Sequence, residues 1–218
     1  MSNLQYEMSE IEEKIYNKGE RLIPGVSHDE RETKRHASSY NFFVKLIEED
    51  VHTRSICPIV VDLGCGVGFG CKIMSNMNGS VIIGVDISEE CLEYATKNYF
   101  ASNIVYRKDD LRDFIKKMSI HDYVVSRGVL EHIEDGLELA KKVKFRHMFI
   151  FDVPYNEGSI NPHHKVTGVT EETLKGFEYA EIYYEDLQGN ITKEKPEAPN
   201  MIMCVCKKLV HIEERVCV

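Results

Sequence analysis

Two pairs of adjacent residues, Glu131-His132 and His163-His164, carry side chains that could do chemistry. Histidine suits proton transfer near neutral pH, because its ordinary pKa lies close to that range. Histidine and glutamate are also common ligands of divalent metals. Either role requires that two distant parts of the chain meet, so the elements that position these residues decide what the site can do.

A glycine-rich turn follows the first strongly apolar segment of the chain. Residues 58–63 predict a buried strand, and Gly64, Gly66 and Gly68 follow it at alternate positions. Glycine has no Cβ, so the main chain at such a turn can approach a ligand closely. The sequence therefore predicts a nucleotide-binding turn at this strand end.

An acidic residue ends the next apolar segment. Residues 81–86 predict a second strand, and a carboxylate at its end, Asp86, could accept hydrogen bonds from the ribose hydroxyls of an adenosine. The alternative is that Asp86 only caps the helix predicted to begin near Ser88. The dinucleotide fingerprint GxGxxG does not fit here, because its last glycine would fall at Phe69 or Cys71.

The GxGxG turn, the aspartate before it and the acid after the second strand resemble the pattern of class I S-adenosylmethionine (SAM) dependent methyltransferases, from about residue 55 onward. The resemblance implies SAM as the cofactor. It also implies an adenine contact after the third strand, where Asp110 matches best and Asp109 is the alternate. A helix-capping acidic turn is the alternative for both. The implied cofactor-binding residues in this half are Asp62, Gly64, Cys65, Gly66, Gly68, Asp86, Ile87, Asp109, Asp110 and Leu111.

Residues 122–133 resemble a segment of small-molecule methyltransferases of the ubiquinone-biosynthesis type. This resemblance implies that Ser126 and Arg127 lie beside the methionine part of SAM, and that Glu131 and His132 face the methyl group. A histidine bonded to backbone at a helix end is the alternative for His132. We predict that His132, or else His163, removes the proton of the methyl acceptor, so the predicted catalytic residues are His132, His163 and Glu131.

A divalent metal is a second interpretation of the same side chains, with Glu131, His132, His163 and His164 as ligands. The small-RNA 2′-O-methyltransferases hold a metal with a similar ExxEHH-like segment and a distant histidine. This chain departs from that pattern, because Gly128 stands at the first glutamate and Ile133 at the second histidine. The residue types leave metal binding and proton transfer both open.

The beginning of the chain carries a third resemblance. Residues 19–25 and 35–40 are similar to the start of bacterial sugar and surface-polysaccharide methyltransferases, in which this part closes over the cofactor. The resemblance makes Arg21, His36 and Tyr40 candidates to hold the methionine carboxylate or to roof the pocket. Surface or packing roles are the alternative for all three.

Short apolar segments alternate with amphipathic ones from residue 55 onward, which predicts an α/β fold with a parallel sheet and helices on both faces. The last two predicted strands, near residues 181–185 and 201–206, should form an antiparallel hairpin. The resemblance implies a Rossmann-like seven-stranded methyltransferase sheet of order 3-2-1-4-5-7-6, with the last strand antiparallel. We predict one domain, in which residues 1–54 form an N-terminal helical cap and residues 55–218 the SAM-binding core.

Composition restricts the partners. A formal net charge of −9 disfavours nucleic acid, because sequence-independent binding requires clustered basic residues. Seven cysteines without a CxxC pair, and no apolar run approaching about eighteen residues, predict a cytoplasmic protein without a membrane partner. The expected partner is a small-molecule acceptor. A homodimer is left open, since the sequence does not locate exposed apolar patches.

The leading functional prediction is O-methylation of a small polar metabolite or of a nucleotide-linked sugar, as in polysaccharide biosynthesis. The accepting group of a capsule precursor could be a phosphate or phosphoramidate, whose charge a metal or Arg127 and Lys165 would neutralise. N-methylation of a small metabolite and a non-catalytic SAM-binding protein are the alternatives. An NAD-dependent oxidoreductase is disfavoured by the glycine spacing.

Overall fold

The computed structural model of the chain describes residues 7–26, 30–159 and 161–208, so residues 209–218 of the predicted core lie outside it. Its strands, in chain order, are β1 (Ile59–Leu63), β2 (Val81–Asp86), β3 (Ile104–Lys108), β4 (His121–Arg127), β5 (Phe145–Pro154), β6 (Ala180–Asp186), β7 (Ile191–Thr192) and β8 (Pro199–Lys207). Its α-helices are α1 (Glu10–Asn17), α2 (Glu30–Arg54), α3 (Phe69–Met74), α4 (Glu89–Asn98), α5 (Leu111–Lys117), α6 (Gly136–Ala140) and α7 (Glu171–Leu174). A short 3-10 helix covers Leu130–His132.

The strands form one sheet in the order β3-β2-β1-β4-β5-β8-β6-β7. Strands β1 to β5 pair in parallel, whereas β8 is antiparallel to both β5 and β6. The predicted Rossmann-like order is confirmed, with β8 as the predicted seventh strand. The difference is β7, a two-residue strand at the sheet edge. So short a strand has no recognisable alternation in the sequence.

Both faces of the sheet are buried. Successive strand residues point to opposite faces, so Val60 and Val61 contribute to two different apolar clusters. Helices cover each face, and this explains why the strands read as continuous apolar runs. Within the residues that the structure describes, no helix combines the length and the apolar character that a bilayer span requires.

The two N-terminal helices pack onto the core. Helix α2 buries Tyr40, Phe43 and Ile47 in the same apolar cluster as strands β1 and β4. Ile15 of α1 and Ile23 after it pack near the glycine turn, in a cluster with Val67 and Tyr94. This part of the chain therefore lies beside the carboxyl end of β1.

One glycine makes the packing of α2 against α3 sensitive to a single methyl group. A Cβ at Gly70 would lie 1.9 Å from the ring of Tyr40, which is itself buried. We predict that Gly70→Ala destabilises the protein by about 1–3 kcal/mol, the usual range for overpacking. This result would be the reverse of the gain of about 1 kcal/mol expected at an uncrowded helical glycine.

Thermal and denaturant unfolding measure this change. The matched control is Gly158→Ala, because a Cβ there would meet no heavy atom of the described residues within 4 Å. That variant should stay within about 0.5 kcal/mol of the parent. Equal stability of the two variants would show that Tyr40 does not pack against α3 as described.

Candidate active site

A cavity of about 460 Å³ opens where the parallel strands end. The glycine turn follows β1, Asp86 ends β2, Asp110 follows β3 and Gly128 follows β4, so the sheet brings four separate segments to one edge. The residues that line the cavity are Lys18, Gly19, Glu20, Arg21, Leu22, His36, Tyr40, Gly64, Cys65, Gly66, Val67, Phe69, Gly70, Asp86, Ile87, Asp110, Leu111, Arg127, Gly128, Val129, His132, Ile133 and His163.

Backbone hydrogen bonds hold the glycine turn against the second strand. The amides of Gly64 and Cys65 donate to the Val85 carbonyl at 2.8 and 3.0 Å. Gly66 has a φ of +52°, a conformation that favours glycine. A Cβ at Gly66 would meet no atom of the described residues within 4 Å. Open space therefore lies directly against the turn, as a bound ligand requires.

Asp86 is fixed by the backbone on both sides. Its Oδ2 accepts from the Gly66 amide at 2.9 Å, and its Oδ1 accepts from the Ser88 amide at 2.8 Å. The N-cap of α4 is Ser88 itself, whose hydroxyl accepts from the Cys91 amide. Each carboxylate oxygen has a second acceptor site. Asp86 therefore supports the helix start and still presents acceptors to the cavity.

The two candidate acids after β3 have different surroundings. Asp110 lines the cavity and is also the N-cap of α5, because its Oδ1 accepts from the Arg112 amide at 2.8 Å. Asp109 instead pairs with Arg107 at 2.7 Å, and only its backbone amide reaches Asp86, by donating to that residue's carbonyl. Asp110 thus combines the capping and cavity roles that the sequence left open.

Four predicted cofactor residues lie outside the cavity lining: Asp109, Asp62, Gly68 and Ser126. Asp62 is fully buried behind the turn and accepts from the Tyr40 hydroxyl at 3.2 Å. Burial raises its pKa to about 7. Ser126 donates to the Leu63 carbonyl at 3.0 Å, and Gly68 faces the Tyr106 ring. These residues shape the turn and the strands beneath it.

The N-terminal segment forms one wall of the cavity. Arg21, His36 and Tyr40, all three predicted to hold the methionine carboxylate or roof the pocket, line it. Tyr40 combines this position with a packing role, because its ring contacts α3 and its hydroxyl binds Asp62. Glu20 also lines the wall, and the sequence analysis missed it. Its position beside Arg21 was the only signal.

A second cavity of about 430 Å³ adjoins the first. The two share a wall that contains Glu20, Leu22, His36, Arg127, Gly128 and His132. The other residues that line the second cavity are Glu32, Arg35, Glu131, Pro154, Tyr155, Glu157, Asn161, His164, Leu187, Ala198, Pro199, Asn200 and Met201. A molecule in this second cavity would be separated from the first cavity only by the shared wall.

Arg127 is buried between two carboxylates. It pairs with Asp152 and with Glu185, both at 3.2 Å. Burial opposes its charge, but these two carboxylates raise the pKa of Arg127 above its usual value. The Gly128 amide and the Ser39 hydroxyl donate to the same two acids. The charge of Arg127 is therefore balanced within the protein and is not left over for an anionic ligand.

Glu131 and His132 lie side by side but face different spaces. Glu131 is 2% exposed and lines only the second cavity, and its Oε2 has no hydrogen-bond partner among the described residues. Burial raises the pKa of Glu131 to about 8 and lowers the pKa of His132. His132 Nδ1 lies 3.3 Å from the His163 carbonyl, so this ring does bond to backbone, yet its Nε2 is left available.

Three potential metal donors meet beside the shared wall, namely Glu20 and His132 from that wall and His164 from the second cavity. Glu20, His132 and His164 each place one ligand atom within 4.8 Å of the others. Of the four ligands predicted from sequence, Glu131 and His163 are outside this group. The His163 side chain lines the first cavity, and its carbonyl lies near the ring of His132. Adjacent residues point in different directions here, which spacing in the sequence does not reveal.

Comparison with known proteins gave one family model and several solved structures. A model described as "Methyltransferase domain" matches residues 60–147. Magnesium protoporphyrin IX methyltransferase (ChlM) from Synechocystis PCC 6803, solved with bound SAH, has a TM-score of 0.60 and 17% identity, over 89% of this chain and 92% of that chain. No curated protein matches the sequence.

Two further structures share the fold. The N-terminal domain of EvdMO1, solved in the presence of SAH and D-fucose, has a TM-score of 0.58 and 14% identity, over 89% of this chain and 94% of that chain. WbdD has a TM-score of 0.57 and 16% identity over 76% of this chain. This chain spans about 40% of the length of WbdD.

Proposed function

We propose that this chain, which is a class I SAM-dependent methyltransferase with SAM as its cofactor, methylates a hydroxyl group of a small polar acceptor, such as a free or nucleotide-linked sugar. The supporting observation is the wall shared by the two cavities. Gly128 and His132 belong to both linings. A cofactor in the first cavity and an acceptor in the second would therefore meet at one boundary, as direct methyl transfer requires.

The reaction needs little from the protein beyond position and a proton acceptor. A lone pair of the acceptor oxygen attacks the methyl carbon of SAM, the carbon–sulfur bond breaks, and its electron pair stays on sulfur to give SAH. The hydroxyl proton passes to Glu131 in its ionised form, whose fraction increases as the pH rises through the pKa of about 8. This side chain lines the second cavity, and its Oε2 has no hydrogen-bond partner among the described residues. His132 lies at the boundary between the two cavities, close to where the reacting oxygen would be.

The charge of the second cavity supports a hydroxyl acceptor over a phosphate or phosphoramidate. Its lining contains four glutamates, namely Glu20, Glu32, Glu131 and Glu157. Its two arginines are already paired, Arg35 with Glu32 and Arg127 with two buried acids. Lys165 lies outside the lining, with its ammonium group near the Pro162 carbonyl. A phosphate or phosphoramidate group at the reacting position would meet net negative charge here, which costs binding energy.

Transfer of a labelled methyl group tests the proposal. The protein is incubated with methyl-labelled SAM and a panel of monosaccharides, nucleotide sugars, sugar phosphates and amines, and the products are separated and identified by mass spectrometry. We expect label in an acid- and base-stable methyl ether of a neutral or nucleotide-linked sugar. Label found only in phosphate esters or only in amines would show that the acceptor group is not a hydroxyl. SAM binding without any methyl transfer would indicate a non-catalytic protein.

A further inference from the structure

Three side chains from separate parts of the chain converge between the two cavities. They are Glu20 from the N-terminal segment, His132 from the turn after β4, and His164 from the loop after β5. We propose that these three residues bind one divalent transition-metal ion, which holds the acceptor oxygen beside the cofactor. The inference rests on the proposed function for the position of the acceptor, but not for the ion site itself.

The second ring nitrogen of each histidine is held in the way that metal ligands require. His132 Nδ1 lies 3.3 Å from the His163 carbonyl, and His164 Nδ1 bonds to the Glu157 carboxylate. Ligating histidines usually donate their other nitrogen to a carboxylate or a backbone carbonyl, which fixes the tautomer and the ring orientation. In both residues a proton donated from Nδ1 leaves the lone pair on Nε2, and at His164 the neutral amide of Asn161 lies 3.1 Å from that nitrogen.

The Asn161 side chain favours the tautomer of His164 that carries its proton on Nδ1. Asn161 Oδ1 accepts from the His163 amide at 3.0 Å, so its Nδ2 points the other way. That nitrogen donates to Glu20 Oε2 at 2.8 Å and lies 3.1 Å from His164 Nε2. Because an amide nitrogen only donates, Nε2 is an acceptor and carries a lone pair.

Two acceptors then face each other. His164 Nε2 lies 3.4 Å from Glu20 Oε2, and neither atom supplies a proton to the other when Nδ1 donates to Glu157. A lone pair and a carboxylate at this distance repel each other, and the Asn161 amide nitrogen, which lies within hydrogen-bond distance of both atoms, is a neutral donor that balances none of this charge. The Glu157 carboxylate, which is bonded to His164 Nδ1, adds further negative charge beside these two atoms. A divalent ion would satisfy all of these groups at once.

The donor set indicates the kind of ion and its use. Two imidazoles and one carboxylate suit first-row metals such as Zn²⁺, Mn²⁺ or Co²⁺, and three protein ligands leave positions open for other oxygens. An acceptor hydroxyl in an open position would lose its proton more readily, because the ion stabilises the alkoxide. The proton still passes to Glu131, and His132 acts through the ion. Since Glu20 precedes α2, the ion would also join the N-terminal segment to the core.

Cobalt binding tests the site without any need for activity. The protein is freed of metal with EDTA, the chelator is removed, and Co²⁺ is titrated while visible absorption is recorded in the absence of SAM and acceptor. We expect one Co²⁺ per chain. Glu20→Gln and His164→Asn should each weaken Co²⁺ binding at least about a hundredfold, and Glu157→Gln about 10- to 100-fold, as for other outer-shell partners.

Two neighbouring variants are the matched controls. His163→Asn and Glu131→Gln alter the predicted ligands that lie outside the cluster, so both should bind Co²⁺ like the parent protein. Thermal unfolding checks that each variant is folded. The inference is overturned if the parent binds no Co²⁺, or if Glu20→Gln binds it equally well.

Labelled methyl transfer separates the two proposals. If methyl transfer were complete in EDTA and the protein bound no Co²⁺, the proposed ion site would be refuted. The proposed methylation of a hydroxyl group would be unaffected. Stoichiometric Co²⁺ binding that depends on Glu20 would support the ion site, even if no hydroxyl acceptor were found and the proposed acceptor class failed.

Discussion

SAM binding should weaken at least about a hundredfold when Asp86 is replaced by alanine. The carboxylate lines the first cavity, and two backbone amides hold it in place. Its remaining acceptor sites are those that the ribose hydroxyls would use. Two hydrogen bonds to a charged group contribute about 3 kcal/mol together, which corresponds to about a hundredfold in affinity. Isothermal titration calorimetry with SAM measures the effect.

Asp109→Ala is the matched control for this experiment. Asp109 is also an acid near the end of a parallel strand, but its carboxylate pairs with Arg107 and lies outside the cavity lining. The control should bind SAM like the parent protein. Because Asp86 also bonds to the Gly66 and Ser88 amides, thermal unfolding must show that the variant is folded. Unchanged affinity in folded Asp86→Ala would refute the ribose contact.

Turnover should fall at least about a hundredfold in Glu131→Gln, while SAM affinity stays unchanged. Glutamine keeps the shape of the side chain but does not accept a proton, and a positioned base contributes on this scale. Glu131 lines the second cavity and is absent from the lining of the first, so SAM binding in the first cavity should not depend on it. Initial rates at saturating SAM and a calorimetric titration separate the two effects.

Glu134→Gln provides the comparison, because Glu134 is an exposed glutamate three positions later and lies outside both linings. Its turnover should match that of the parent. If Glu131→Gln also kept parental turnover on the same acceptor, the proton would have to leave by another route, and the role given to Glu131 would be wrong.

The fold was largely predictable because its signals are local. Apolar runs of five to ten residues alternate with amphipathic ones, and both the element types and the sheet order follow from that alternation and from the family resemblance. Strand β7 was not predictable, since its two residues join the sheet only by pairing with Tyr184 and Glu185. Tertiary contact, and not local preference, makes it a strand.

The meeting of the predicted cofactor-binding segments at the first cavity was predictable for a similar reason. A glycine turn and an acid at two parallel strand ends must meet at one edge of the sheet. The sequence does not show which residues of these segments point into the cavity. Asp62 and Ser126 were predicted to contact the cofactor, but their side chains bond to Tyr40 and to the Leu63 carbonyl in the interior.

The second cavity depends on contacts between distant segments. Glu20, from the N-terminal segment, approaches His164 in the loop after β5. Arg127 pairs with acids on β5 and β6. No spacing in the sequence encodes either contact. The sequence therefore indicated which residue types could bind a metal, but only the fold shows that Glu20, His132 and His164 are the potential donors that come together.

A crystal structure of the protein with SAH is the most direct test of the central claim, that SAM binds at the glycine turn with its reacting end toward the second cavity. We predict ribose hydroxyls on Asp86, adenine beside Asp110, and the sulfur facing the wall that Gly128 and His132 share between the cavities. Density for SAH elsewhere, or a sulfur that faces away from that wall, would contradict the account.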